Sequence, residues 1–208
     1  MQGDEKMDNK NLLIVISGPA GSGKGTVVKE IINESDVFAY SVSATTRQPR
    51  PGEKNGVNYF FVTREEFEEN IKNDTLIEYT EYCGNYYGTI NSKVQELLKD
   101  KHVILEIEVE GALNVKKKFP DAVLILLLPP DFKTLEARLR GRGTETDDVI
   151  KARLEKSKVE MSCFEHYDYV VINQDEGAKK AALDIINITK SEIQRTKRRL
   201  EVKEHFYE

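Results

Sequence analysis

A lysine that follows several glycines near the start of the chain has the chemistry needed to hold a phosphate group. Leu12–Ile16 is apolar and mostly β-branched, which predicts a strand buried on both faces. Glycines recur from Gly18 to Gly25, and apolar residues at helical spacing follow them. In such a turn several backbone N–H groups point inward, while the helix N-terminus adds partial positive charge and Lys24 adds a full one. The stretch therefore predicts a phosphate-binding loop.

The pattern G-x-x-x-x-G-K-[ST] is matched from Gly18 through Gly23 and Lys24, with one departure. Gly25 stands where Ser or Thr usually supplies the hydroxyl that meets Mg²⁺, and Thr26 follows one position later. Thr26 would contact the ion either directly or through water, and the spacing leaves both arrangements open. A plain glycine-rich turn with an exposed lysine is the alternative, which the flanking strand and helix patterns disfavour.

Two arginines three residues apart lie in a proline-rich stretch further along the chain. Arg47 and Arg50 stand in TTRQPRPGE, where the prolines restrict the backbone and so limit the directions in which the arginines point. Guanidinium groups held in this way can bind a phosphate bidentately. A solvated basic loop is the alternative, which the spacing alone does not exclude.

Arginines also crowd a glycine-containing segment in the second half of the chain. Arg138, Arg140 and Arg142 are interspersed with Gly141 and Gly143 between two predicted helices. Like charges repel one another unless an anion neutralises them, so a mobile lid that closes over a polyphosphate would use this arrangement. The alternative is an ordinary surface helix end whose arginines compensate the helix dipole.

Two carboxylates stand at alternate positions near the end of an apolar stretch. In the segment 102–109, Glu106 and Glu108 would point to the same side, because side chains alternate along a strand. Burying both without a cation would be costly, so we expect them at the carboxyl end of the strand, where ligands of open α/β sheets bind. An edge strand with a solvated face is the alternative, which the apolar character of the stretch disfavours.

Composition and charge limit the classes of protein to which the chain can belong. Its 208 residues are 39% hydrophobic and 32% charged, with a net charge of −5, which favours a globular domain without a nucleic-acid or membrane surface. Ala122–Pro130, the longest apolar run, is too short to cross a bilayer. Cys83 and Cys163 form no disulfide framework, so we expect free thiols in the reducing cytoplasm. We expect residues 1–11 to form a flexible leader rather than a targeting signal.

Strand-like and helix-like segments alternate along most of the chain, which predicts a three-layer α/β fold with a mainly parallel five-stranded sheet. The predicted strands of this sheet are Leu12–Ser17, Ser41–Ala44, Val103–Glu108, Val123–Leu128 and Tyr169–Ile172. Short strands and turns between them predict a compact antiparallel insert, with a helix capped by Thr63 and Glu66. The expected parts of this single domain (12–208) are a core (12–40, 93–137 and 155–208), the insert (41–92) and a lid (138–154).

Five segments in order resemble the guanylate kinases, which belong to the nucleoside monophosphate kinase group. The segments are SGPAGSGKGT, SVSATTRQPRPGEKNGVNYFFV, LIEYTEYCGNYYGT, ILEIEVEG and GRGTET, and the likeness runs from Leu12 to Asn187. The resemblance implies a P-loop kinase fold with a strand-rich nucleotide-binding insert and a helical lid. It also implies transfer of the γ-phosphoryl group of ATP to GMP, and to dGMP as well, with Mg²⁺ as the cofactor.

The resemblance also assigns roles to individual residues of this chain. ATP would be bound by Gly18, Ala20, Gly21, Ser22, Gly23, Lys24, Gly25, Thr26 and Asn173. GMP would be bound by Ser43, Arg47, Arg50, Tyr59, Glu78, Tyr87, Thr89 and Glu108. The catalytic residues would be Lys24, Arg47, Arg138, Arg142 and Arg153. All of them except Arg47 would neutralise the transferring phosphoryl group. Mg²⁺ would be held, directly or through water, by Thr26 and Glu106.

The sequence departs from the family pattern at several of these positions. Glu106 and Glu108 stand where the family usually has Asp, so each carboxylate is one methylene further from the backbone. Thr89 stands where Ser is common, and Glu110 stands where a neutral Gln is frequent. These departures bear on rate and nucleotide affinity more than on the class of reaction.

Two other functions are compatible with parts of the sequence. A kinase acting on AMP is favoured by Gly25 and Thr26, which resemble the adenylate kinase loop, and disfavoured by Glu78 and the TTRQPR segment. A non-catalytic module that binds phosphorylated peptides is disfavoured by Lys24 and the lid arginines. We expect nucleotides as partners, no nucleic acid or membrane, and a monomer or weak homo-oligomer. Because no nucleophile stands beside a base, we expect direct in-line transfer.

Overall fold

The computed structural model of the protein describes residues 11–82, 84–141, 143 and 146–206. The strands in chain order are β1 (Leu13–Ser17), β2 (Phe38–Tyr40), β3 (Ala44–Thr45), β4 (Phe60–Phe61), β5 (Leu76–Tyr82), β6 (Asn85–Ile90), β7 (His102–Glu106), β8 (Val123–Leu128) and β9 (Tyr169–Ile172). The α-helices are α1 (Lys24–Glu34), α2 (Arg64–Lys72), α3 (Asn91–Leu98), α4 (Val109–Lys118), α5 (Phe132–Gly141), α6 (Asp147–Met161), α7 (Ala178–Ile193) and α8 (Leu200–His205). Across the described ranges, no helix has both the length and the apolar character required to cross a bilayer.

The larger sheet has the strand order β2-β7-β1-β8-β9, and all of its neighbouring strands run parallel. The central strand β1 is buried on both faces, as its apolar run predicts. Ile14 and Ile16 pack in the cluster that contains residues of α1 and α7, whereas Leu13 and Val15 pack in the one formed with α3 and α4. The predicted three-layer α/β fold with a mainly parallel five-stranded sheet is therefore confirmed.

The order of the strands determines where a ligand site can form. In this sheet β8 is the next strand after β7 along the chain, but the two lie on opposite sides of β1. The order in which the chain adds strands to the sheet therefore reverses at β1. In open α/β sheets, ligands bind at such a switch point, beyond the carboxyl ends of the strands. The glycine-rich loop after β1 and the carboxylates at the end of β7 lie at this edge of the sheet.

The prediction that Ser41–Ala44 forms the second strand of the sheet is wrong. The strand is β2, which pairs with the start of β7, because it carries the apolar Phe38. Phe38 is buried, and its ring centroid lies 5.5 Å from that of His102. The polar residues from Ser41 onward leave this sheet, and Ala44 belongs instead to β3 in a second sheet.

The second sheet has the order β4-β3-β6-β5 and lies within the predicted insert. Its β5–β6 and β3–β6 pairs are antiparallel, as predicted for the insert, whereas β3 and β4 run parallel, which the prediction did not include. The chain between β3 and β4 returns to the starting end of β3, so that β4 pairs with β3 in the same direction. Phe67 of α2 fills the core of this sheet together with Ala44 and Leu76. The predicted capping box of Thr63 and Glu66 is confirmed at the start of α2.

The end of β7 differs from the sequence-based prediction. The strand stops at Glu106, and Glu108 is the residue that precedes the first turn of α4. Ile107 still donates its backbone N–H to the carbonyl of Ile16, at 3.3 Å, but the chain then turns into the helix. Glu106 and Glu108 are therefore not on one face of a strand, and that prediction is wrong.

The cysteine prediction is tested at one of its two positions. Cys163 is a free, half-buried thiol in the structure, as predicted. Cys83 lies outside the described residues. The catalytic candidate Arg142 also lies outside them, so its role stays a prediction.

A buried histidine at the start of β7 makes the stability of the fold depend on pH. The backbone N–H of Leu12 donates to Nδ1 of His102 at 3.0 Å, and burial lowers the pKa of His102. The folded chain favours the neutral ring. The contribution of His102 to the stability of the fold is therefore present above the ordinary histidine pKa of about 6.5 and is lost as the pH falls. We expect the free energy of unfolding to fall by about 1 kcal/mol between pH 7 and pH 5 through this residue.

Urea unfolding of the parent and of His102→Asn at both pH values measures this contribution. The Asn side chain keeps an acceptor and does not titrate, so we expect a flatter pH profile. His166, which is exposed, provides the matched control: His166→Asn, unfolded under the same conditions, measures the effect of losing an imidazole at the surface. Identical profiles for the parent and His102→Asn would contradict the prediction.

Candidate active site

The glycine-rich loop between β1 and α1 fits closely against its surroundings at two glycines. A Cβ atom on Gly18, whose φ is +151°, would lie 2.2 Å from the backbone oxygen of Leu127. A Cβ atom on Gly23, whose φ is +90°, would lie 2.4 Å from Nδ2 of Asn173. Side chains at these positions would therefore displace β8 or Asn173, which explains why the sequence has glycine there.

Lys24 begins α1, and its side chain folds back over the loop. Its Nζ atom donates to the carbonyl oxygen of Gly18 at 2.6 Å and lies 3.4 Å from that of Pro19. The backbone N–H of Ser22 also donates to Pro19, at 3.1 Å, which tightens the turn. The structure thus brings the ammonium group to the N-terminus of a helix, where its charge and the helix dipole act in the same direction on an anion.

A carboxylate from β7 lies beside the first turn of α1. A Cβ atom on Gly25 would lie 3.5 Å from each carboxylate oxygen of Glu106. Burial raises the pKa of Glu106, and the nearby charge of Lys24 opposes this effect. The exposed Thr26 lies in the same helical turn. Glu106 therefore places both carboxylate oxygens beside Gly25, the residue that precedes Thr26.

Arg47 of the insert is held by several neighbours. Its Nη2 lies 2.9 Å from Oε1 of Glu53, and its Nη1 donates to the carbonyl of Gln48 at 2.7 Å. The guanidinium carbon lies 5.4 Å from the ring centroid of Tyr59 and 5.8 Å from that of Phe61, within the range of cation–π contacts. The predicted phosphate-binding arginine is therefore fixed by a carboxylate and two aromatic rings.

The tyrosines of the insert lie together and within electrostatic range of β7. The ring centroids of Tyr59 and Tyr87 are 6.0 Å apart in an edge-on arrangement. Burial is the main cause of the raised pKa of Tyr59, and the charges of Tyr87 and Glu106 act in the same direction. The charge of Glu106, at the end of β7, thus reaches Tyr59 of the insert.

Two other predicted residues of the insert make backbone contacts nearby. The carbonyl of Ser43 accepts from the backbone N–H of Phe60 at 2.9 Å, which links the two parallel strands β3 and β4. Arg50 is exposed, and its backbone N–H donates to Oε2 of Glu53 at 2.7 Å. Glu53 thus contacts both predicted arginines.

A buried carboxylate lies on β5 at the other end of the insert. Oε1 of Glu78 accepts from the hydroxyl of Thr89 at 2.7 Å. Burial raises the pKa of Glu78 to about 7; the Thr89 bond opposes this shift and the charge of Glu108 adds to it. Glu108 itself accepts a hydrogen bond from Lys156 of α6. The structure therefore brings together three of the residues that the resemblance assigns to GMP binding.

The residues predicted on the ATP side are linked through the end of β9. Asn173 is buried and donates its side-chain amide to the carbonyl of Ser22 at 2.8 Å. Nη2 of Arg138 donates to the backbone oxygen of Asn173 at 2.9 Å and lies 2.8 Å from Oδ1 of Asp175. Arg153 is half-buried on α6. The base of the predicted lid is thus connected to the phosphate-binding loop through β9.

The loop also packs directly on the helices of the predicted lid. Ala20 lies against the apolar cluster formed by Leu135, Leu139, Ile150 and Leu154 of α5 and α6. Its small side chain therefore contributes to packing between the loop and these helices.

Sequence reasoning missed the partners of the predicted residues. Glu53, Asp175 and Lys156 pair with Arg47, Arg138 and Glu108. Only Glu53 had a usable signal in the sequence, since it follows Arg50 by three residues in a proline- and glycine-containing turn. The other two pairs join elements distant in the chain, which spacing does not reveal.

Comparison with known proteins agrees with this geometry. A family model described as guanylate kinase matches residues 10–192. Guanylate kinases of Streptococcus thermophilus (strain CNRZ 1066) and Streptococcus pneumoniae (strain ATCC BAA-255 / R6) are 56% and 57% identical to the chain over 171 and 169 residues. These alignments cover 81% and 80% of this chain, and 82% and 81% of the two relatives. A crystal structure of guanylate kinase from Anaplasma phagocytophilum matches with a TM-score of 0.74 and 31% identity, over 94% of this chain and 93% of that one. The chain therefore belongs to the guanylate kinase family.

Proposed function

We propose that the protein transfers the γ-phosphoryl group of ATP to GMP, and also to dGMP, producing ADP and GDP or dGDP. Membership of the guanylate kinase family supports phosphorylation of GMP by ATP. The observation that carries the proposal is the buried Glu78, hydrogen-bonded to Thr89, in an insert where Arg47 lies against the ring of Tyr59. We further propose that the enzyme acts in the cytoplasm, as a monomer or weak homo-oligomer.

GMP would bind along the insert, with its base at Glu78 and its phosphate at Arg47. Guanine presents two adjacent donors, N1–H and the 2-amino group, and an ionised carboxylate is acceptor-only, so Glu78 can accept from both. Thr89 would hold that carboxylate in place, and Glu108 would lie at the same end. The phosphate would be bound by Ser43, Arg47, Arg50, Tyr59 and Tyr87.

ATP would bind at the loop between β1 and α1, with Asn173 close to its adenine. Lys24, Arg138, Arg142 and Arg153 would neutralise charge on the transferring phosphoryl group. A phosphate oxygen of GMP is already a competent nucleophile, so the transfer would be direct and in line, without a covalent enzyme intermediate. The protein's part would be to align the two nucleotides and to exclude water as the insert (41–92) and lid (138–154) close on the core.

The residues at the mouth of the loop fit Mg²⁺. This ion binds through one or two carboxylates together with substrate phosphates and water. Within the described ranges no group of three His, Cys, Asp or Glu residues could hold a metal ion by itself. Glu106 and Thr26 would hold the ion, directly or through water. When bound, Mg²⁺ would neutralise phosphate charge and orient the β- and γ-phosphates.

An acceptor panel tests the proposed function. ADP release from ATP and Mg²⁺ would be measured with GMP, dGMP, AMP and UMP in parallel. We expect rapid turnover with GMP and dGMP, and turnover at least about 100-fold slower with AMP and UMP.

Each other outcome contradicts a defined part of the proposal. A preference for AMP would mean that Glu78 does not read guanine. Rapid turnover with GMP but slow turnover with dGMP would contradict the proposal that dGMP is also a substrate. Absence of turnover with every acceptor, while GMP still binds, would favour the non-catalytic module.

A further inference from the structure

We propose that Glu53 is a positioning residue for the substrate phosphate, because its carboxylate holds the guanidinium group of Arg47 in the phosphate-binding segment of the insert. The inference rests on the proposed function, in which Arg47 and Arg50 bind the phosphate of GMP. Glu53 itself would not touch the substrate. It would act through Arg47.

The two oxygens of Glu53 have separate partners. Oε1 lies 2.9 Å from Nη2 of Arg47, and Oε2 accepts from the backbone N–H of Arg50 at 2.7 Å. The backbone N–H of Glu53 also donates to the carbonyl of Arg50 at 3.0 Å, which closes the turn. One carboxylate therefore connects the guanidinium group of the first arginine to the backbone of the second.

The exposure of this ion pair distinguishes it from ordinary surface pairs. The side chains of Arg47 and Glu53 are 15% and 19% exposed, whereas those of Arg64 and Glu68 on α2 are 47% and 51% exposed. Pairs on an open surface contribute little because solvent and salt screen them. The Arg47–Glu53 pair is better shielded, and it fixes the orientation of a planar donor group.

Arg47 keeps donors for a second anion while it is held by Glu53. A guanidinium group carries five N–H donors, and those used toward Glu53, Gln48 and Tyr87 do not exhaust them. The rings of Tyr59 and Phe61 restrict the plane of the group. An arginine fixed on several sides loses less conformational freedom when it binds phosphate than a mobile one would.

Because Glu53 is charged, the inference can be tested by whether removing this charge strengthens or weakens GMP binding. Hydrogen bonds from Arg47 and from the Arg50 backbone lower the pKa of Glu53, so its carboxylate remains ionised at neutral pH. A negative charge next to a phosphate site repels the ligand, and its removal alone would tighten GMP binding. If Glu53 positions Arg47, its removal weakens GMP binding instead.

The test is the variant Glu53→Gln, measured with GMP and with guanosine. The Gln amide replaces one of the two acceptor oxygens with an NH2 donor, so it cannot keep both the contact with Arg47 and the contact with Arg50. We expect the Kd for GMP, measured by calorimetry, to rise at least about tenfold. The inhibition constant of guanosine, which lacks the phosphate, should stay within about twofold of the parent value.

Two further variants separate positioning from general effects of charge or folding. Glu68→Gln removes the same charge from an exposed ion pair on α2, and it should leave the Kd for GMP unchanged. In the background of Arg47→Met, adding Glu53→Gln should raise the Kd by less than about twofold, because the residue through which Glu53 acts is gone.

Three results would overturn the inference: tighter or unchanged GMP binding, an equal loss for guanosine, or full additivity with Arg47→Met. Failure of the proposed function would differ from all of these, because the parent would then not phosphorylate GMP in the acceptor panel. Binding of GMP to the parent and to Glu53→Gln can be compared in either case.

Discussion

Replacing Lys24 with Met should reduce kcat for GMP phosphorylation by about 10³-fold while leaving the fold intact. Lys24 supplies the full positive charge at the start of α1, where its Nζ atom donates to the loop carbonyl of Gly18 at 2.6 Å. Met has a similar length and no charge, so the variant removes the electrostatic contribution and retains most of the packing. Steady-state kinetics with saturating ATP and GMP would measure the loss.

Lys29 provides the matched control for this variant. It lies on the same helix, is exposed, and is far enough from the loop that Lys29→Met should keep kcat within about twofold of the parent. Thermal unfolding of both variants would show that neither change disrupts the domain. Near-normal turnover by Lys24→Met would mean that the mechanism proposed for the loop is wrong.

Replacing Glu78 with Gln should reduce kcat/KM for GMP by roughly 10- to 150-fold, since hydrogen bonds to a charged group contribute about 1.5–3 kcal/mol. The Gln side chain keeps nearly the same shape but can accept at only one atom, so one guanine donor would lose its partner. Glu81→Gln is the matched control, because Glu81 lies on the same strand with its side chain 50% exposed. Equal effects of the two substitutions would contradict the role of Glu78.

The same residue predicts how GMP binding depends on pH. Burial raises the pKa of Glu78 to about 7, so its carboxyl group loses its proton as the pH rises through neutrality. The ionised form accepts from both guanine donors, and we therefore expect the KM for GMP to fall between pH 6 and pH 8. The second ionisation of a phosphate monoester, near pH 6, also contributes. Glu78→Gln should retain only that phosphate contribution, and an unchanged profile would contradict the assignment.

The fold could be predicted from the sequence where local pattern and tertiary packing agree. The run around Ile14 is buried on both faces, and the capping box at Thr63 forms as its spacing indicates. The second strand was misplaced because Phe38–Tyr40 has only three residues, and the polar segment after it resembles a strand equally well. Propensity alone cannot decide between two such short segments; pairing with β7 decides it.

The candidate site could be predicted only as a set of residue types. Gly18, Lys24 and Arg47 were found because glycine freedom and fixed charges leave a signal in the sequence. The relation of Glu106 to Glu108 was missed, since strand periodicity cannot reveal that the chain turns into α4 after Glu106. Contacts between distant elements, such as Arg138 with Asp175, depend on topology and leave no local pattern.

The position of β1 at the centre of its sheet has a consequence for the order in which the chain can fold. Its neighbours are β7 and β8, and the bonded residues Leu12 and His102 are 90 positions apart. During synthesis β1 therefore leaves the ribosome well before either strand that will flank it, whereas β5 and β6 form a local hairpin. Contacts this distant in sequence are slow to form. The strand that leads into the glycine-rich loop is consequently made well before the two strands that cover it.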